Sequence, residues 1–277
     1  MKFGIKGIAR GEDANKTGEL ASEAERLGYE YMLHTNHIGK SLYPFATMPY
    51  IAAKTTTFIV GSIYPIPRYI PSHLATFIAN LDYLSNGRAL AGFGAGHGFD
   101  EFINYSPSPG VYPDAGLRVS QYEEGLRLII KLWTSRGREV NFKGKYYKTF
   151  DAIIFPEPVQ KPRPPIWQIG GGRRMLKIAA KYCNGWVGPV WGPLALTPEE
   201  FEAKVKTIKK YAKEYNRDMS KFAFVCQGTQ RGGDDAEMVE AYRAVGAQYY
   251  HVGGPSSFND NVEWLKKFAK EVIPSFK

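Results

Sequence analysis

Apolar positions along this chain switch repeatedly between two spacings. Short, nearly continuous apolar runs at 2–8, 29–34, 58–63 and 89–96 read as buried strands. Further runs of the same kind follow at 166–169, 185–190, 222–226 and 247–252. Between them, apolar residues recur at three- and four-residue steps. Leu74, Phe77, Ile78, Leu81 and Leu84 form one such face, and Leu126, Ile129, Ile130 and Trp133 another. The spacing predicts helices over 15–27, 45–54, 72–84, 118–133, 173–182, 198–215, 235–245 and 261–271. Eight strands in strict alternation with helices favour a closed (β/α)8 TIM barrel over an open doubly wound sheet. The length of 277 residues suits one such barrel, and no linker, repeat or low-complexity segment divides residues 1–277. The largest insertion, 99–117, follows the fourth strand and carries three prolines that stiffen it; a small hairpin is expected at 139–147, before the fifth.

The chain is organised around 64–101. Here a strand end leads through Pro71 and Ser72 into a helix, which Asn86-Gly87 stops. The next strand dissolves into Gly94, Ala95, Gly96, His97 and Gly98, as a strand would whose exit loop brings backbone close to a ligand. In a barrel the chemistry sits at the strand C-terminal ends. Six of the eight exits contain glycine. The run Gly170-Gly171-Gly172-Arg173 is the most informative, because a strand, consecutive glycines and a helix start present backbone N–H groups to an anion. Arg173 or Arg174 would add a charged fork. Gly253-Gly254 is a second candidate of the same kind.

Three segments together carry a family resemblance. The first is Arg68-Tyr69-Ile70-Pro71, then LDYLSNGR (81–88) and a strand ending Gly92-x-Gly94-x-Gly96. The second is PEPVQKPRPPIWQIGGG (156–172), with Asn184-Gly185-Trp186 beyond it, and the third is EVNFKGKYY (139–147). In this order, over roughly two thirds of the chain, they resemble the bacterial-luciferase-like superfamily of flavin- and F420-dependent oxidoreductases, including its methylene-tetrahydromethanopterin reductase members. The resemblance implies a luciferase-like barrel, a cofactor that is F420 or FMN, and a cofactor phosphate at Gly170–Arg173. It places His37 beside the ring, with Asn36 where an acid is frequent. It aligns Ser62-Ile63 with a strained non-prolyl cis peptide behind the ring. His97 stands where deazaflavin members often carry glutamate, and Lys6 where some carry an acid. His97, Tyr64 and Trp191 lie at exits that reach ring or substrate. The reductase resemblance and a basic surface suited to an oligoglutamate tail favour F420. FMN needs only a phosphate site, an apolar floor and backbone donors. Hydride transfer to or from a small organic substrate is the first expectation. An FMN-dependent monooxygenase, served by a flavin reductase, is the alternative, and a non-catalytic flavin-binding barrel the third.

Composition narrows the partners. The net charge of +9 sits largely at 204–221, where the aromatics fall on the apolar stripe of a helix, so a solvated face is expected and no nucleic acid. No apolar run approaches the ~20 residues a bilayer requires, and the N-terminus is no signal peptide, so no membrane is expected. Two cysteines, Cys183 and Cys226, suggest a reduced cytoplasmic setting. A barrel glycosidase would need opposed carboxylates; Asp100 and Glu101 share one loop, and Asp234-Asp235 reads as a helix cap. The five histidines show no convincing metal-ligand spacing. The barrel helices at 51–54 and 74–84 permit a homodimer.

Overall fold

A computed structural model describes residues 1–7, 14–189, 195–228, 234–255 and 257–276. The expected strand exits at 8–10, 190–191, 229–231 and 256, Trp191 included, lie outside the described residues. The elements run β1 (Lys2–Ile5), α1 (Ala14–Arg26), β2 (Tyr31–Thr35), α2 (Pro44–Lys54) and β3 (Ile59–Pro65). A 3-10 turn at Ile66–Arg68 leads to α3 (Pro71–Leu84), β4 (Ala89–Gly94), α4 (Phe99–Tyr105) and α5 (Ala115–Trp133). Then come β5 (Val140–Lys143), β6 (Lys148–Ala152), β7 (Ile166–Ile169), α6 (Arg173–Tyr182) and β8 (Gly185–Pro189). The chain closes with α7 (Pro198–Glu214), β9 (Ala223–Gln227), α8 (Ala236–Ala244), β10 (Tyr249–Val252) and α9 (Phe258–Glu271).

Eight of these strands form the closed barrel β1-β10-β9-β8-β7-β4-β3-β2, all paired in parallel, so the expected architecture stands. The hairpin β5–β6 stands outside it. Its turn is held by the Glu124 carboxylate, which accepts the N–H groups of Lys145, Tyr146 and Tyr147 at 2.7–2.9 Å.

Strand alternation divides the core into two layers. Tyr31, Leu33, Leu90, Trp167, Val187 and Val225 fill the barrel interior. The opposite strand faces, among them Phe3, Met32, Val60 and Phe93, pack against the helices. Gly4 in β1 is required by this filling, because a Cβ there would overlap the Tyr31 ring. Among the described residues no helix is long and apolar enough to cross a membrane.

Two expectations are corrected. The insertion at 99–117 is not merely stiff loop. Its first turns form α4, with Glu101 and Phe102 buried against the barrel. A seven-residue helix has too few turns to show periodicity, and tertiary contact decides it. The Ser62–Ile63 peptide is trans and unbulged. Cis bonds among the described residues are Phe155–Pro156 and Lys161–Pro162, and β3 pairs with β4 without a register shift from Val60 to Pro65.

Two histidines are buried in the barrel wall. His251 stacks on Tyr31 with ring centroids 5.9 Å apart, and neither of its nitrogens has a hydrogen-bond partner. The His34 ring bonds the Leu42 carbonyl through Nε2 at 3.1 Å, and its Nδ1 is buried without a partner. Burial pulls their pKa values down to about 3 and about 4, so both rings are neutral in the folded chain. Below about pH 6.5 the unfolded chain binds protons that the folded barrel refuses. Stability is therefore full above that pH and falls as pH drops toward the folded values. His251→Leu removes one of the two groups and should flatten the acid limb of a urea-unfolding series between pH 6.5 and 4. An unchanged limb would show that His251 is not neutral when folded.

Candidate active site

The C-terminal ends of β2, β3, β4 and β7 surround a cavity of about 250 Å³. Ile63, Pro65, Ala95, Ile169 and Met175 give it apolar walls, and Thr35, Asn36, His37, Arg68 and His97 a polar edge. Alternation along β3 separates two residues that the sequence pairs. Ile63 faces the cavity, while Ser62 is fully buried on the other face and donates to the His34 carbonyl at 2.9 Å. Tyr64 likewise leaves the site. It is buried among Phe45, Tyr69 and Phe77 under the helices, because an odd step from Ile63 turns it outward.

Gly94, Gly96 and Gly170 line the cavity. Gly96 has φ +79°, and a Cβ there would press on Pro65 and Phe102, so only glycine turns the loop this tightly. Gly171, Gly172 and Arg173 lie beyond the rim, at the N-terminus of α6. Gly172 is the N-cap, no side chain caps the helix, and nothing lies within 4 Å of where a Cβ would stand. Lys204 on α7 brings its ammonium to the Gly171 carbonyl at 3.2 Å. Arg173 is held by the Tyr211 hydroxyl, and Arg174 bonds Gly116 and Ser120 on α5. The second glycine candidate is closed: Gly253 N–H donates to Asp234, and the Asn261 side chain fills the space over Gly254. Asp235 caps α8 as its sequence position implies.

The chemistry of the polar edge rests on Glu101, which the sequence offers only as the neighbour of Asp100. Its carboxylate is buried, forms an ion pair with the equally buried Arg68, and accepts from His37 Nδ1 at 2.9 Å. Arg68 also donates to the Asn36 carbonyl at 3.0 Å. Asn36 donates in turn to the Tyr69 hydroxyl, while its Oδ1 is buried without a partner. Burial lowers the His37 pKa, and the positive charges of Arg68, Lys6 and Lys40 lower it further. His97, its ring centroid 6.0 Å from that of His37, is lowered by burial and by His37. Burial brings Arg68 down to about 10, still cationic at neutral pH. Arg68 lies in the RxxP segment quoted above, but nothing local in the sequence announces a partner on a later insertion.

Residues 1–272 match the family model described as luciferase-like monooxygenase. An F420-dependent glucose-6-phosphate dehydrogenase from Amycolatopsis mediterranei is 31% identical over 196 residues, covering 68% of this chain and 57% of that protein. The chain thus spans a little over half the length of the curated relatives it matches. An F420-dependent secondary alcohol dehydrogenase, solved in complex with an F420-acetone adduct, superposes with TM-score 0.85 at 19% identity, covering 100% of this chain and 99% of that one. A coenzyme F420-dependent tetrahydromethanopterin reductase from Methanopyrus kandleri gives 0.77 at 19% identity, with the same coverage. At these identities the two structures speak for the barrel alone.

Removing one partner of a buried ion pair strands the other charge, at about 3–5 kcal/mol. Glu101→Leu should therefore lower the unfolding free energy by about that much. Adding Arg68→Met to it should recover most of the loss. A double variant as unstable as the single one would show that the pair is not what holds these side chains.

Proposed function

The chain belongs to the luciferase-like monooxygenase family of oxidoreductases. From that premise we propose that it is an F420-dependent enzyme moving a hydride to or from a small organic substrate at the barrel mouth. The observation that carries this reading is the cavity itself: apolar walls around a space of about 250 Å³, with one edge built from the Glu101, Arg68 and His37 network.

The residues present fit such a cofactor. Ile63, Ile169 and Met175 offer a ring two apolar sides, and the partnerless Asn36 Oδ1 offers a buried acceptor for a ring N–H or O–H. The open N-cap of α6, with Lys204 beside it, suits a phosphate. When bound, F420 supplies a two-electron hydride donor or acceptor. The protein then has to position a substrate and manage a proton. His37 is the group for the proton, since its ring is part-exposed beside the cavity and burial lowers its pKa. F420 is favoured over FMN by the activity of the Amycolatopsis mediterranei relative. The basic surface, net +9, also suits a polyanionic tail.

Gly172 sits at φ −69°, ψ 150°, a conformation any residue adopts, and aspartate is a good N-cap. Gly172→Asp should thus fold normally yet place a carboxylate in the proposed phosphate space. F420 affinity should fall by about tenfold or more, roughly the cost of one like-charge contact in a partly buried site; unchanged affinity would remove the anion site. His37→Ala should keep cofactor affinity within a few-fold and lower turnover by about 100-fold or more. Full turnover in that variant would take His37 out of the chemistry.

A further inference from the structure

One carboxylate in this site serves two groups. Glu101 and Arg68 have almost no exposed side-chain surface, whereas the His37 side chain is 41% exposed. Arg68 is anchored independently of Glu101, by the Asn36 carbonyl, and its guanidinium lies 5.9 Å from the Phe102 ring centroid. It cannot swing away from the carboxylate, and a guanidinium does not give up its proton at neutral pH. The pair is therefore charged on both sides and neutral in sum.

An ionised carboxylate only accepts hydrogen bonds. The 2.9 Å contact to His37 Nδ1 therefore requires the proton on Nδ1. In the neutral ring Nε2 is then a lone-pair acceptor. A second proton, on Nε2, would add a net positive charge beside Arg68. The other groups facing the ring are of the same sign or neutral: Lys6 after β1, Lys40 on the same loop, and the His34 and His97 rings. Asp100, the residue before Glu101, is paired with Lys40 at 2.6 Å.

We propose that Arg68 is the positioning residue of this site: by occupying the Glu101 carboxylate it holds His37 neutral, with its proton on Nδ1 and its Nε2 lone pair free. Arg68 takes up no proton in this scheme; it acts on His37 through the Glu101 carboxylate and through its own positive charge. Its value to turnover rests on the reading of His37 given above, but the protonation state itself does not. Without Arg68, the buried carboxylate has only the imidazole to neutralise it, and His37 takes up the second proton.

The test is the protonation of the His37 ring in the cofactor-free protein, followed by nitrogen-15 NMR of the imidazole across pH. The wild-type ring should show a protonated Nδ1 and a bare Nε2 at pH 7, with less than about a quarter of the molecules doubly protonated. In Arg68→Met more than half should be doubly protonated at that pH. Arg68→Lys, which keeps the charge, should resemble wild type. Arg68→Gln keeps a donor for the Asn36 carbonyl and reads the same quantity if the methionine variant does not fold. A His37 ring that titrates identically in the neutral variants and in wild type overturns the proposal, as does a wild-type proton on Nε2. An activity-pH profile read alongside separates the two claims. If the NMR shift appears and the acid limb of turnover does not move, the clamp stands and the catalytic reading of His37 falls.

Discussion

A carboxylate is kept in a protein interior only in the company of a cation, and that constraint assembles this site. Glu101 arrives on an insertion helix and Arg68 on the turn after β3. Neither would be tolerated alone where the two are found. Their pairing docks the insertion on the barrel rim and leaves one carboxylate oxygen for His37. It also draws the Asn36 backbone into place. The polar edge of the cavity is thus a consequence of one ion pair, and the apolar walls follow from strand alternation at the barrel mouth.

The two anchors are chemically distinct and spatially adjacent. The polar edge gathers titratable side chains beside the apolar space that would take a ring. Across the rim, the start of α6 presents unpaired backbone donors that would take an anion. Gly170 and Met175 belong to both regions, since they line the cavity and flank the beginning of that helix. A ligand with an apolar ring at one end and a phosphate beyond it matches this layout.

Most of the barrel was legible in the sequence because burial on both faces of a strand, or on one face of a helix, leaves a period that survives without any partner. The helix 173–182 was read to the residue and the other barrel elements to within a few positions, whereas α4 was not read and β6 falls beyond the expected 139–147 hairpin. The site was legible only where local geometry dictates residue type, as in the glycines at the exits of β4 and β7. What the sequence could not show is which way each side chain turns at the rim. Ser62, Ile63 and Tyr64 are consecutive, and only Ile63 reaches the cavity. Glu101 and Arg68 find each other through tertiary packing alone, so nothing local in the sequence pairs them.

The central claim is that this cavity takes F420. Titrating the purified protein side by side with F420 and with FMN, and following tryptophan fluorescence, tests it most directly, since Trp167 and Trp186 lie in the two strands, β7 and β8, next to the α6 anchor. The account predicts saturable binding of F420, with FMN weaker by at least tenfold. Binding of FMN alone would contradict it and make a flavin monooxygenase the better reading; binding of neither would remove the cofactor site.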